Sequence, residues 1–419
     1  MIRKFSFLLV VVAILIAVVP AFAQEFQIPE IEEGKTNVAV VLIGPINDGG
    51  WSQAHYDGAV YMKEHLENAN VVYIENIPEG TESEQVFRSL ASKGFDVIFG
   101  TSFGFMDAME AVAEDFPDSY FIHVSGYKDN GTNFGNLMGA MEHMKYLAGY
   151  LSGARAHMDG EKVLGYMYTF PIPEELRLGN AFMIGAKKTC PECTLIVAPI
   201  NSWHDPIIEQ DAAKALFDKG AYIVFTGADT PAPAIVAEDY KEGNGKWGIP
   251  YDWDGSCASE RCLTLPYWIW GSVYTSIVEG IRDGSYTPGR HYFDGDAHGL
   301  GLVGFMEGEE LPKGLQDLPE ETLAYVRDYI ADLEAGKITR FDIFAGPVKD
   351  NAGNIVVPEG ELMEDADLDT FDCASMGCKY GMHWWAEGIE AELAGTPLKW
   401  FMPADYGVET TPAELGLVT

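Results

Sequence analysis

The amino-acid sequence predicts an α/β protein built as two doubly wound lobes with a hinge and a central cleft. Three observations carry this. Apolar runs alternate with amphipathic runs of helical length from residue 38 onward, the pattern of successive βα units. A stretch rich in Gly and Asn, 125–139 (SGYKDNGTNFGNLMG), interrupts that alternation. The same alternation resumes at 144 and runs to 249, which implies a second lobe of the same kind.

The first lobe reads in order as strand 38–43, helix 51–68, strand 71–75, helix 81–93, strand 97–99, helix 106–115 and strand 120–124. Thr81 and Glu84 stand at capping-box spacing. The strand runs are continuously apolar, as strands covered on both faces are. The second lobe reads as helix 144–157, strand 163–166, helix 174–188, strand 195–198, helix 206–219, strand 222–225, helix 233–242 and strand 247–249. A turn-rich break at 250–262 leads into helix 268–283. Beyond it come strand-like segments to about 308, a helix 320–336, a hairpin signal at 350–354 (DNAGN) and an aromatic, acidic helix 382–394. The expected domain limits are 24–125 with 252–285 for the first lobe, 126–251 with 286–394 for the second, and a tail 395–419.

The first residues, MIRKFSFLLVVVAILIAVVPAFAQ, carry Arg3 and Lys4, an apolar run and an Ala21-Phe22-Ala23 cleavage pattern. This predicts a secretory signal peptide over 1–23. No Cys follows the cleavage point, so the expectation is a free periplasmic or extracellular protein without a lipid anchor. The net charge of −37 excludes a nucleic-acid partner, which needs a basic face, and disfavours an anionic membrane. It describes a solvated acidic surface, of the kind a saline habitat favours, and it suits neutral or cationic partners.

Six cysteines form three close pairs, Cys190/Cys193, Cys257/Cys262 and Cys373/Cys378. In an exported chain, local disulfides are the expectation. A structural zinc site wants four ligands, and no two pairs lie close in sequence. A redox CxxC opens a helix after a strand, whereas Cys190-Pro191-Glu192-Cys193 lies between a helix and a following strand. No metal site and no cofactor are predicted.

Each strand end facing the cleft carries a distinctive loop. The first lobe offers Asn47-Asp48-Gly49-Gly50-Trp51, then 100–105 (GTSFGF), then 123–127 (HVSGY). The second offers 168–171 (YTFP), 201–205 (NSWHD), 227–230 (GADT) and 251–254 (YDWD). Aromatic rings and carboxylates recur on both sides. Rings from two lobes can sandwich a flat ligand, while carboxylates accept hydrogen bonds from its N–H or O–H groups.

Several stretches together resemble the basic membrane protein family of ABC-transporter solute-binding proteins. They are GPINDGGWSQAHYDGA (44–59), ENIPEG (75–80), FGTSFGFMDAMEAVAEDFPD (99–118), HVSGYK (123–128), YLAGYLSG (146–153), PIPEELRLGNAFMIGAK (171–187), NSWHDPIIEQDAAKALFDKGA (201–221) and FAGPVKDNAGN (344–354). The resemblance implies a type I periplasmic binding protein fold, a small-molecule ligand, an ABC permease as partner and no catalysis; we also expect a monomer. It further implies a purine nucleoside or nucleobase as solute, with riboflavin as the alternative. Carried over by position, Trp51 is the stacking aromatic with Asp48 as its polar partner. Phe103 and Tyr127 are walls of the first lobe, Phe170 and Trp203 walls of the second. Asp205, Asp229 and Asp252 are polar strand-end positions.

Two features depart from the resemblance. The loop 226–233 (TGADTPAP) differs from the usual acidic loop, and the Cys257/Cys262 pair enlarges the loop after Asp252. Both leave open which ring system is bound. A competing reading is an exported nucleoside hydrolase-like enzyme, for which His123, Ser125, His204 and Asp205 supply acid–base candidates. No GxSxG, HExxH or P-loop accompanies them, and Asp205 also suits an N-cap.

Overall fold

The computed structural model describes residues 26–370, 373 and 377–391. The expected signal peptide, the tail 395–419 and the last residues of the expected helix 382–394 lie outside these.

The described chain begins βαβαβαββ: β1 (Thr36–Leu42), α1 (Trp51–His65), β2 (Ala69–Ile74), α2 (Thr81–Lys93), β3 (Val97–Thr101), α3 (Met106–Asp115), β4 (Tyr120–Val124) and β5 (Phe134–Gly139). It continues with α4 (Glu142–Asp159), β6 (Val163–Tyr168), α5 (Pro173–Thr189), β7 (Thr194–Pro199), α6 (Pro206–Asp218), β8 (Ile223–Thr226), α7 (Ala232–Ala237) and β9 (Trp247–Ile249). The remainder is β10 (Pro266–Trp268), α8 (Trp270–Asp283), β11 (Arg290–Phe293), β12 (Leu300–Leu302), α9 (Glu320–Glu334), β13 (Val348–Lys349), β14 (Ile355–Val357), α10 (Asp365–Asp369) and β15 (Ile389–Glu390).

Two parallel sheets result, in the orders β11-β5-β4-β3-β1-β2 and β15-β7-β6-β8-β9. The reason is visible in β1. Val38, Val40 and Leu42 face one core, beside Ala54, Ala59 and Met62 of α1. Ala39 and Val41 face the other, beside Val86, Phe87 and Leu90 of α2 and Met109 of α3. Both faces are buried, so the strand is apolar at every position and not at alternate ones. In the second lobe α4 packs on α5 at very short range. A Cβ at Gly149 would stand 2.9 Å from Phe182 Cα, and one at Gly185 would stand 2.9 Å from the Tyr146 carbonyl carbon. Glycine at these positions lets the two backbones touch.

Four expectations change. First, the stretch 125–139 contains β5, and Arg290–Phe293 forms β11; both pair in the first sheet, although the expected limits put them with the second lobe. The chain therefore enters the second sheet after Gly139, leaves it after β9, rejoins the first sheet at β11 and reaches the second again at β15, while β10 and β12 form a separate antiparallel pair. Second, the described residues 382–391 form no helix. Met382, Trp384, Trp385 and Ala386 are buried together, and Ile389–Glu390 adds a strand beside β7. Third, the expected helix 233–242 is the shorter α7 (Ala232–Ala237). Fourth, the N-cap of α2 is Gly80, with no side-chain cap from Thr81. The DNAGN signal does close the β13–β14 hairpin, with Asp350 N–H donating to Asn354 O at 2.9 Å.

The three local disulfides are present: Cys190–Cys193, Cys257–Cys262 and Cys373–Cys378. Where the lobes meet lies a buried ion cluster. Glu142 of α4 is fully buried and accepts from Arg177 of α5 at 3.2 Å and from Arg340 at 2.9 Å. Asp369 accepts from both arginines at 2.8 and 2.9 Å. Tyr292 of β11 bonds Arg177, and the Arg340 guanidinium lies 3.3 Å from the centre of the Tyr292 ring. The cluster thus joins the first sheet, the second lobe and α10.

Candidate functional site

The site forms where the C-terminal ends of both sheets face each other, the edge at which open α/β sheets bind ligands. On the first lobe, the turn after β1 is held by Asp48. Its carboxylate accepts the N–H groups of Gly50 (2.9 Å), Ser52 (2.9 Å) and Gln53 (3.0 Å). These are amides at the start of α1 that would otherwise lack partners. Trp51 is thereby fixed at the helix start. Its indole N–H donates to Thr101 O at 2.7 Å, and its ring meets His55, Trp270 and Trp268 edge-on at 4.3, 5.7 and 6.0 Å. One side of the ring is anchored in an aromatic cluster and the other faces the cleft.

The ends of β3 and β4 add Ser102, Phe103 and Ser125. Beneath them His123 is fully buried. Its Nε2 lies 2.7 Å from Ser102 O, an acceptor only, and its Nδ1 lies 3.1 Å from the Asn136 amide nitrogen. This fixes the proton on Nε2. Burial holds the ring neutral, with a pKa lowered to about 4. His123 thus ties the ends of β3, β4 and β5 together.

On the second lobe the loop after β6 and the start of α5 supply Glu174 and Glu175, the loop after β7 supplies Trp203, and the end of β8 supplies Gly227 and Asp229. Tyr251 and Asp252 close the site from the strand-to-strand crossing. Between these residues lies a narrow cleft; the ≈ 420 Å³ between their atoms includes space open to solvent. Its lining contains four carboxyl groups and no lysine or arginine.

Burial sets the charge state of those carboxyls. Desolvation raises Glu174 to about 8. Glu175 is raised to about 7 by burial, against the opposing hydrogen bonds from the Tyr166 hydroxyl (2.8 Å) and Thr169 N–H (3.1 Å). Asp229 is pushed well above the usual range by burial and then by the charges of Asp252 and Asp48. Asp252 is also raised by burial, although Lys145 opposes the shift and the Trp268 indole donates to it at 2.7 Å. Lys145 itself is fully buried behind the site. It donates to Thr226 O at 2.7 Å and lies 3.3 Å from the centre of the Tyr251 ring. Burial lowers it to about 7.

Of the residues singled out from sequence, the cleft lining brings together Trp51, Phe103, Trp203, Asp229 and Asp252. The other four stand behind it. Asp48 is occupied with the α1 amides. Phe170 backs Trp203, with ring centres 5.0 Å apart, and Tyr127 backs Phe103 at 6.4 Å. Asp205 is the N-cap of α6, accepting from Ile207 and Ile208 N–H at 3.0 Å each. Sequence reasoning did not single out Glu174, Glu175, Tyr251 or Lys145. The first two come two residues after the YTFP loop, and Tyr251 precedes Asp252, so a signal was available there. Lys145 sits inside a helix and carries no local sign of its role.

Comparison with known proteins places this geometry in a family. The chain is 31% identical over 365 residues to a purine-binding protein of Brucella abortus, covering 86% of this chain and 95% of that one. It is 38% identical over 255 residues to a putative ABC transporter glucose-binding protein of Haloferax volcanii, covering 61% of this chain and 63% of that one. In fold it matches an ABC transporter solute-binding protein of Conexibacter woesei, with TM-score 0.57, 21% identity and coverage of 73% and 98%. The fold is that of type I periplasmic solute-binding proteins. Residues 35–322 match the family described as ABC transporter substrate-binding protein, PnrA-like, and the chain belongs to that family of extracytoplasmic solute-binding proteins.

Proposed function

We propose that the solute is a purine nucleoside or nucleobase, held between the lobes and delivered to an ABC permease by a monomeric protein. The observation that carries this reading is the cleft lining. It sets Trp51 and Phe103 of one lobe and Trp203 of the other around a space bordered by Asp229, Asp252, Glu174 and Glu175. Flat rings stack on such walls, and purine N–H and ribose O–H groups donate to carboxylates. The absence of a basic residue from the lining disfavours phosphate-bearing ligands. The similarity to the purine-binding protein of Brucella abortus supports the same reading. Binding proceeds by hinge closure, and the closed form marks the loaded state. Asp48, Phe170, Tyr127 and Asp205 hold the contacting residues in place.

A second reading is a hexose. The relative named as a putative glucose-binding protein favours it, because rings and carboxylates also suit sugar faces and paired hydroxyls. Titration calorimetry with adenosine, guanosine, inosine, hypoxanthine, riboflavin and glucose separates these. Saturable heat with a purine and none with glucose supports the proposal; the reverse pattern, or saturation by riboflavin alone, overturns it. Chromatography of the incubated nucleosides checks that none is cleaved to base and sugar.

A further inference from the structure

We propose that Asp48, His204 and Asp229 form a divalent-cation site that joins the two lobes and suits zinc. The residues come from separate loops: Asp48 from the turn before α1, His204 from the loop before α6, and Asp229 from the loop after β8. One ligand atom of each lies within 4.8 Å of the other two. This is a mixed imidazole–carboxylate set drawn from both sides of the cleft.

Two further observations point to a ligand at this place. Asp229 is 4% exposed. His204 Nδ1 is buried and has no hydrogen-bond partner. A buried ring nitrogen without a partner is costly. A divalent ion would bind both groups at once. Asp48 is already oriented by three backbone amides, as outer hydrogen bonds orient metal ligands, and a carboxylate retains lone pairs for an ion.

The donor set selects the metal. Calcium and magnesium favour oxygen-only sites, whereas zinc takes imidazole and carboxylate together, leaving a fourth position for water or solute. Because Asp48 belongs to one lobe and the other two ligands to the second, the complete site exists only when the lobes meet. Zinc would then favour the closed arrangement by its preferential binding to it.

The test uses the full chain stripped with a chelator and titrated with zinc chloride in the absence of any solute. Calorimetry is expected to show one tight zinc per chain, and solution X-ray scattering a smaller radius of gyration on zinc addition. His204→Ala is expected to weaken that binding at least about tenfold, since even outer partners of a metal site cost this much. Asp229→Asn is the second variant, should His204→Ala fold poorly. Equal zinc affinity in wild type and both variants overturns the proposal, as does calcium or magnesium matching zinc. Solute binding measured in chelator stands apart from this result, so either claim can fail alone.

Discussion

Gly50 and Asp229 meet across the cleft. A Cβ at Gly50 would stand 2.6 Å from Asp229 Cα and closer still to its carbonyl oxygen. Beside them the Ser256 hydroxyl donates to Gly49 O, and the Trp253 indole donates to Asp57 at 2.8 Å. The glycine pair before Trp51 is therefore a surface at which the lobes touch.

Gly50→Ala follows directly. Gly50 has φ −153° and ψ −124°, outside the regions that residues with a Cβ favour, so the variant is expected to fold with stability lowered by about 1 kcal/mol and is compared at a temperature where it is folded. Its methyl group collides with Asp229 on closure. Calorimetry is expected to show solute affinity reduced at least about tenfold, the equivalent of ~1.4 kcal/mol. Scattering is expected to show no compaction on adding solute. Normal closure would refute the role assigned to Gly50.

Trp51→Ala removes one wall of the cleft. The expected loss is at least ~1 kcal/mol of binding energy, the scale of one aromatic pair. Trp51→Phe should recover most of it, because the ring lines the cleft while the indole N–H is bonded to Thr101 O. Fluorescence titration reads both variants.

Glu175 gives a pH dependence with a definite sign. Its folded pKa, about 7, lies above the ordinary 4.5. The folded state therefore binds the proton more tightly, and the stability this supplies is full below about 4.5 and lost as pH rises through about 7. Solute-free protein should lose melting temperature across that window. Glu175→Gln should flatten that part of the profile.

Arg340→Met tests the ion cluster where the lobes meet. It leaves Glu142 with Arg177 as its remaining ion-pair partner in a fully buried setting. Breaking a buried pair costs about 3–5 kcal/mol. Urea unfolding should show a loss of that order, whereas Lys214→Met, at an exposed pair with Asp218, should change stability by less than about 1 kcal/mol.

The fold was legible because its strands are buried on both faces. Runs such as Val38–Leu42 have no other reading in so acidic a chain. The Phe134–Gly139 strand was not legible, because its glycines and asparagines read as a turn. Asn136 is tolerated there by bonding His123, and Asn133 just before it by bonding three backbone carbonyls. The stretch 382–391 misled in the opposite sense: its aromatics suit a helix face, but tertiary burial of Trp384 and Trp385 takes them into extended chain. In the site, the strand-end aromatics Trp51, Phe103 and Trp203 could be found from position alone. Lys145 could not, because its partners Tyr251 and Thr226 are distant in sequence. Asp48 and Asp205 were read as ligand contacts, yet the same carboxylates satisfy helix N-termini, and sequence does not distinguish the two uses.

The disulfides carry a consequence for how the chain matures. Six cysteines allow many pairings, yet each one here joins its nearest neighbour, at separations of 3, 5 and 5 residues. Each bridge can close within its own loop, before distant segments have met. No bridge crosses from one sheet to the other, so oxidation can run in any order without fastening the lobes in a wrong relation, and the finished crosslinks leave their rotation free.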